Sequence, residues 1–94
     1  MREFEMGKIV MTRGINEAIA ESATFSRFVV DSLMRYVQND WGNMCSEDAR
    51  MNDSAVKNND DRIVARYNNE EYSDIYIITE WDRSVTTILF AYEY

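Results

Sequence analysis

The sequence predicts an α+β fold, in which a three- to four-stranded antiparallel sheet carries two or three helices packed on one face. Two runs near the C-terminus, Ile75–Thr79 and Val85–Phe90, are rich in β-branched and aromatic residues and flank a short polar segment. Such a pattern is typical of a β-hairpin. Residues 25–38 instead have apolar side chains at helical spacing. We therefore expect strands and helices to share a single domain over residues 1–94.

The first part of the chain predicts one strand and two helices. Residues 8–12 (KIVMT) predict a short strand, which ends before Gly14. Residues 15–21 (INEAIAE) favour a short helix. Residues 22–24 (Ser-Ala-Thr) then offer N-cap candidates for the next helix.

The helix predicted over residues 25–38 carries one apolar stripe, which we interpret as a core face, with a partner-binding groove as the alternative. The residues of this stripe are Phe25, Phe28, Val29, Ser32, Leu33, Tyr36 and Val37. Five of them, Phe25, Phe28, Val29, Leu33 and Tyr36, are expected to pack on a sheet face formed by Ile63, Ile75, Ile77 and Leu89.

Residues 39–43 (NDWGN) predict a turn, after which a surface helix begins near Ser46. Ser46 is a suitable N-cap, and Glu47 and Asp48 suit the positive end of the helix dipole. A strand over residues 62–67, a turn over 68–71 and the terminal hairpin then predict a three-stranded antiparallel meander.

The amino-acid composition disfavours several classes of function. Seventeen Asp and Glu against ten Lys and Arg give a net charge of −7, which disfavours direct nucleic-acid binding through phosphates. There is no His, so the commonest general base and zinc ligand is missing. One Cys, no apolar run of membrane length and no signal-peptide pattern predict a cytoplasmic protein without a membrane partner. We expect no catalytic residues, no metal and no cofactor.

Four segments of the chain resemble a family of small bacterial proteins carried on plasmids and other mobile DNA. The segments are residues 7–14 (GKIVMTRG), 35–53 (RYVQNDWGNMCSEDARMND), 62–67 (RIVARY) and 75–94 (IYIITEWDRSVTTILFAYEY). Family members bear labels such as "plasmid-related protein" or type I restriction subunit, and the resemblance implies no established activity. This chain departs from the family at Tyr36, where His is usual, at Asn43, where Asp is usual, and at Trp81, which replaces a small residue.

Acidic and aromatic side chains in predicted turns and at a helix start are the candidate contact residues. They are Asp40, Trp41, Glu47, Asp48, Asp60, Asp61, Glu80, Trp81, Asp82 and Arg83. A large aromatic on a loop is a reasonable interface anchor. The structural alternative is that Asp82 and Ser84 cap the hairpin turn while Arg83 pairs with an acid.

The leading hypothesis is a small non-enzymatic phage- or plasmid-type protein whose acidic surface binds a basic groove on a host protein. The most specific version of this hypothesis is counter-defence. The protein would then be an anti-CRISPR or anti-restriction inhibitor that mimics nucleic acid and binds a defence nuclease. One alternative is small-ligand or nucleotide binding at Arg83, and another is an enzyme using Asp40, Glu80 and Asp82. An uncovered sheet edge, together with Trp81, Tyr92 and Tyr94, also predicts a homodimer.

Overall fold

The computed structural model describes residues 3–94, which form three α-helices beside a four-stranded mixed sheet, so the predicted α+β class is confirmed. In chain order the elements are β1 (Lys8–Met11), α1 (Arg13–Glu21), α2 (Ala23–Tyr36), α3 (Ser46–Asn58), β2 (Ile63–Tyr67), β3 (Ile75–Thr79), β4 (Val85–Phe90) and a 3₁₀ helix (Ala91–Glu93). Among these residues, no helix has the length and apolar character needed to cross a membrane.

The sheet has the strand order β1-β4-β3-β2. Its last three strands form the predicted antiparallel meander, with Ile77 opposite both Ala65 and Ile88. The first strand differs from the expected antiparallel arrangement, because β1 runs parallel to β4 with Lys8 beside Val85 and Met11 beside Ile88. Gly7 precedes this pairing at a φ of 64°, where any Cβ would lie 2.3 Å from the carbonyl oxygen of Ser84. Glycine therefore allows the chain to approach the base of the hairpin.

Helices cover one face of the sheet. Side chains alternate along β2, with Ile63, Ala65 and Tyr67 buried and the two residues between them partly exposed. Phe25, Val29 and Tyr36 of α2 belong to the same buried cluster as these strand residues, which confirms the core interpretation of the α2 stripe.

Three details of the predicted core differ. Leu89 lies on the other face of the sheet, because Ile88 and Phe90 on either side of it point into the helix-covered core. Phe28 and Leu33 are only partly buried, at the margin of that core.

A side-chain cap sets the start of α2, whereas α3 begins without one. The Ser22 hydroxyl accepts from the backbone N–H of Phe25 at 3.0 Å, so α2 begins at Ala23. The N-cap position of α3 is Cys45 rather than the predicted Ser46, and it makes no side-chain capping bond. Glu47 and Asp48 nevertheless occupy the first turn, as expected from the helix dipole.

A buried chain of hydroxyl groups ties α2 to the sheet and to the N-terminal segment. Thr86 donates to the carbonyl oxygen of Met6 at 2.7 Å. Each hydroxyl has one hydrogen, so Thr79 must donate to Thr86 and Tyr36 must donate to Thr79, both over 2.7 Å. Burial raises the pKa of Tyr36 far above its usual range, which keeps its hydroxyl protonated.

Removing the first donor of this chain should destabilise the protein. We expect Tyr36→Phe to lower the free energy of unfolding by ~1–2 kcal/mol, because Thr79 then loses its donor in a site without solvent. Urea denaturation measures the loss, and Tyr92→Phe is the control because Tyr92 is 71% exposed. Equal stability of the wild type and Tyr36→Phe would contradict the direction assigned to these bonds.

Candidate protein-interaction site

The β3–β4 hairpin tip and the loop between α3 and β2 meet at one end of the molecule. Grooves along α3 connect this loop to Glu47 and Asp48. The combined surface is here called the acidic tip, and it consists of Glu47, Asp48, Asp60, Asp61, Glu80, Trp81 and Asp82. The structure thus places five of the ten predicted contact residues in the hairpin and the adjoining loop. Glu47 and Asp48 lie further along α3, about 12 Å from Ala55 at 1.5 Å per residue, and share grooves with Asp61.

Arg83 holds these stretches together. Its Nη1 donates to the carbonyl oxygens of Asp61 at 2.7 Å and Trp81 at 3.3 Å, so the loop and the hairpin tip lie side by side. The same nitrogen also reaches the carbonyl of Glu80, and Nη2 donates to the carbonyl of Ala55 in α3 at 2.8 Å. Arg83 is therefore a brace between helix, loop and hairpin.

This bracing role differs from two expectations for Arg83, namely that it binds an anionic ligand and that it pairs with an acid. The side chain is only 8% exposed, and its Nη1 and Nη2 donate to backbone carbonyls, while its buried Nε has no hydrogen-bond partner among the described residues. A guanidinium committed in this way does not present a fork to an anionic ligand. It does not pair with an acid either, because its partners in the described part of the chain are carbonyl oxygens.

The turn itself is stabilised by Asp82 and Ser84, as the structural alternative predicted. The Asp82 carboxylate accepts from the Ser84 backbone N–H at 3.0 Å and from its hydroxyl at 2.6 Å. These two hydrogen bonds hold the pKa of Asp82 below its usual value. Arg83 occupies the left-handed region at a φ of 61°, so the tip has a defined backbone geometry.

Trp81 projects from this fixed turn into solvent. Its side chain is 65% exposed, an unusual state for a large aromatic residue. Met51 on the adjacent face of α3 is 58% exposed as well. The acidic tip therefore combines apolar contact area with surrounding carboxylates.

Most of those carboxylates make no bond within the protein. Across residues 3–94, the side chains of Glu47, Asp48, Asp60 and Glu80 have neither a hydrogen bond nor a salt bridge. An open groove of about 450 Å³ runs along α3 beside the loop before β2. Its lining residues are Glu47, Arg50, Met51, Ser54, Ala55, Asn58, Asp60 and Asp61.

Asp40 does not reach the acidic tip. Its carbonyl accepts from the hydroxyl of Tyr67, at the C-terminal end of β2, whereas the hairpin and loop of the acidic tip adjoin Ile63 at the other end. At about 3.4 Å per residue, these ends are about 14 Å apart. The Asp40 carboxylate instead pairs with Arg35 at 2.8 Å, which lowers the pKa of Asp40. The enzyme alternative with Asp40, Glu80 and Asp82 therefore lacks a common site.

Trp41 also needs correction as a contact residue, because it is 5% exposed and belongs to the core. Its ring packs against Phe4 and Tyr36, and its indole N–H donates to Asp53 at 2.9 Å. A buried indole with a satisfied N–H contributes to stability and offers nothing to a partner.

Two residues of the site were not predicted as contact residues from the sequence. Arg50 and Met51 line the groove of the acidic tip from α3. Helical spacing could have found them, because Glu47, Arg50, Met51 and Ser54 recur every three or four positions and share one helix face. No comparable signal links α3 to the hairpin tip, since their contact depends on Arg83.

No protein-family model, curated protein or solved structure matches this chain.

Proposed function

We propose that this chain is a protein-interaction module whose acidic tip binds a basic groove on a partner protein. The observation that carries the proposal is the exposed Trp81, held on a braced turn among carboxylates without partners in the described chain. Trp is the residue type most enriched among interface hot spots, and a fixed turn reduces the entropy lost on binding.

The charges of the acidic tip suit a cationic surface. Carboxylates that lack internal partners attract Lys and Arg without first breaking a bond inside the protein. They also speed diffusional encounter with a basic protein, an effect that falls as salt rises. Arg50 lies within the same groove, so a complementary partner would place an acidic or neutral group opposite it.

A nucleic-acid-binding host protein is the partner class with the required basic groove. The resemblance to proteins of mobile DNA favours a cytoplasmic defence nuclease within that class. Occupying its channel would make this chain a counter-defence inhibitor of the anti-CRISPR or anti-restriction kind. Competition with DNA or RNA for the same partner is the direct consequence.

Charge reversal on the acidic tip tests this proposal. Immobilised wild-type protein captures host proteins from lysate, and quantitative mass spectrometry compares the captured set with that of Glu47→Lys/Asp48→Lys. We expect capture of the specific partner to fall with this variant, with rising salt and with added DNA. Asp31→Lys reverses one charge instead of two on the exposed face of α2, outside the acidic tip, and should capture as the wild type does. Unchanged capture by the acidic-tip variant at every salt concentration would refute the proposal.

Trp81→Ala separates the apolar anchor from the charges. Loss of an interface hot spot of on the order of 2 kcal/mol would weaken binding ~30-fold, with little effect on folding because the side chain is exposed. Titration of the captured partner with wild-type and variant protein measures the change. Tyr92→Ala, at another exposed aromatic, is the matched control. An affinity unchanged by Trp81→Ala would remove Trp81 from the contact surface.

A further inference from the structure

The two edges of the sheet differ. At the β2 edge, the carboxamide of Asn52 from α3 pairs with the backbone of Val64, donating to its carbonyl at 2.8 Å and accepting from its N–H at 3.2 Å. Further along, the backbone N–H of Arg66 donates to the carbonyl of Trp41 at 3.3 Å, and the Arg66 carbonyl accepts from the N–H of Asn43 at 2.6 Å. These contacts satisfy the outward groups of β2, so this edge is closed to another strand.

The β1 edge is open. The backbone N–H groups of Lys8 and Thr12 donate to the carbonyls of Ser84 and Ile88, which fixes the side of β1 that faces β4. Backbone groups alternate along a strand, so those of Ile9 and Met11 point away from the sheet. Within residues 3–94, no strand lies beyond β1. The Ile9 and Met11 side chains are 43% and 39% exposed, and both lie on the helix-covered face beside Thr86 and Ile88.

We infer that β1 pairs antiparallel with β1 of a second copy of this chain, around a twofold axis at Val10. In this register Ile9 lies opposite Met11 of the second copy, and Met11 opposite its Ile9. Both pairs then consist of outward-facing residues, so each exchanges two hydrogen bonds and the strands share about four. The exposed apolar side chains of Ile9 and Met11 become cross-strand neighbours.

The charges of the strand agree with this register. Lys8 lies opposite Thr12 of the second copy, so the two Lys8 side chains are at opposite ends of the pairing. The hairpin part of the acidic tip lies near the start of β1, because the Lys8 N–H donates to the Ser84 carbonyl at 3.1 Å. The part on α3 and the following loop adjoins β2, which is three strands away from β1, or about 14 Å at 4.8 Å per strand. The twofold axis places the two Lys8 ends, and with them the two hairpin tips, at opposite ends of the pairing, so the acidic tips of two molecules of net charge −7 do not face each other.

Cysteine cross-linking tests the register. In the Cys45→Ser background, Val10→Cys places two thiols in a directly opposed pair whose Cα atoms are about 4.5 Å apart, within disulfide range. We expect it to form a covalent dimer on mild oxidation. Lys8→Cys is the matched control on the same strand, because its two copies would lie about 13 Å apart or more. Equal cross-linking of the two variants, or none by Val10→Cys, would overturn the inference.

A proline at Ile9 tests the hydrogen bonds. The Ile9 N–H points outward, so Ile9→Pro removes a donor to the second copy without removing a bond inside the sheet, as edge strands tolerate. Sedimentation equilibrium should give a dimer for the wild type and a monomer for Ile9→Pro, with circular dichroism confirming that the variant is folded. A monomeric wild type at high micromolar concentration, or a folded Ile9→Pro that still dimerises, would refute the pairing. If Ile9→Pro does not fold, the cross-linking comparison decides.

Discussion

Phe25→Ala should lower the free energy of unfolding by ~3–5 kcal/mol, an amount that threatens the stability of a domain of this size. Phe25 is 1% exposed and joins α2 to the sheet and to the loop before β3. Its ring centroid lies 4.6 Å from that of Tyr72 and 5.6 Å from that of Phe90. Truncation would leave a cavity among three aromatic rings that rigid neighbours cannot fill.

Phe28→Ala is the matched control, because the same chemical change occurs one helical turn away. Phe28 is only partly buried, so part of its ring is already in water and a loss of ~1–2 kcal/mol is expected. Urea denaturation of both variants gives the comparison. A loss for Phe28→Ala equal to or greater than that for Phe25→Ala would contradict the packing described for α2.

Arg83→Met should cost ~2–4 kcal/mol and loosen the acidic tip. The substitution keeps most of the apolar side-chain volume but removes the donors to the carbonyls of Ala55 and Asp61. Hydrogen bonds to charged groups are stronger than neutral ones, and a buried carbonyl without a partner carries a desolvation penalty. Faster hydrogen exchange at the tip and a lower urea midpoint are the expected observations.

Arg50→Met is the control for this variant, because Arg50 is an exposed arginine in the adjacent groove and its loss should change stability by about 0.5 kcal/mol or less. The comparison also bears on the ligand-binding alternative. If Arg83 served to bind an anion, Arg83→Met would abolish binding while leaving stability unchanged. Unchanged stability would therefore refute the bracing role assigned to Arg83.

Local sequence patterns predicted much of the fold. The content of β-branched and aromatic residues identified Val85–Phe90 with the bounds found in the structure, and the apolar stripe identified α2 with both ends displaced by two residues. These elements follow from composition and periodicity within a short window. The direction of β1 did not, because its pairing with β4 joins residues at opposite ends of the sequence.

The candidate site was predictable only in part, as the two tryptophans illustrate. Trp41 and Trp81 both stand beside an Asp in a polar turn, so their local sequences give no reason to separate them. The N-terminal segment covers Trp41 through Phe4, whereas no such contact covers Trp81. Burial here depends on which distant segment packs over each turn. The same applies to Arg83, whose carbonyl partners come from α3 and from the loop before β2.

The hydroxyl chain that ends on Met6 has a consequence for how the protein folds. Its last bond joins Thr86 to a carbonyl 80 positions earlier, and β1 pairs with β4 over a similar span. The meander and the helices can form from nearer neighbours, but closing this long loop costs entropy before any contact repays it. During synthesis, β1 emerges before the other described strands and has no strand partner among them until β4 has emerged. The apolar strand β1 is therefore exposed until β4 has been synthesised. Slow elongation before β4 would favour aggregation over native pairing.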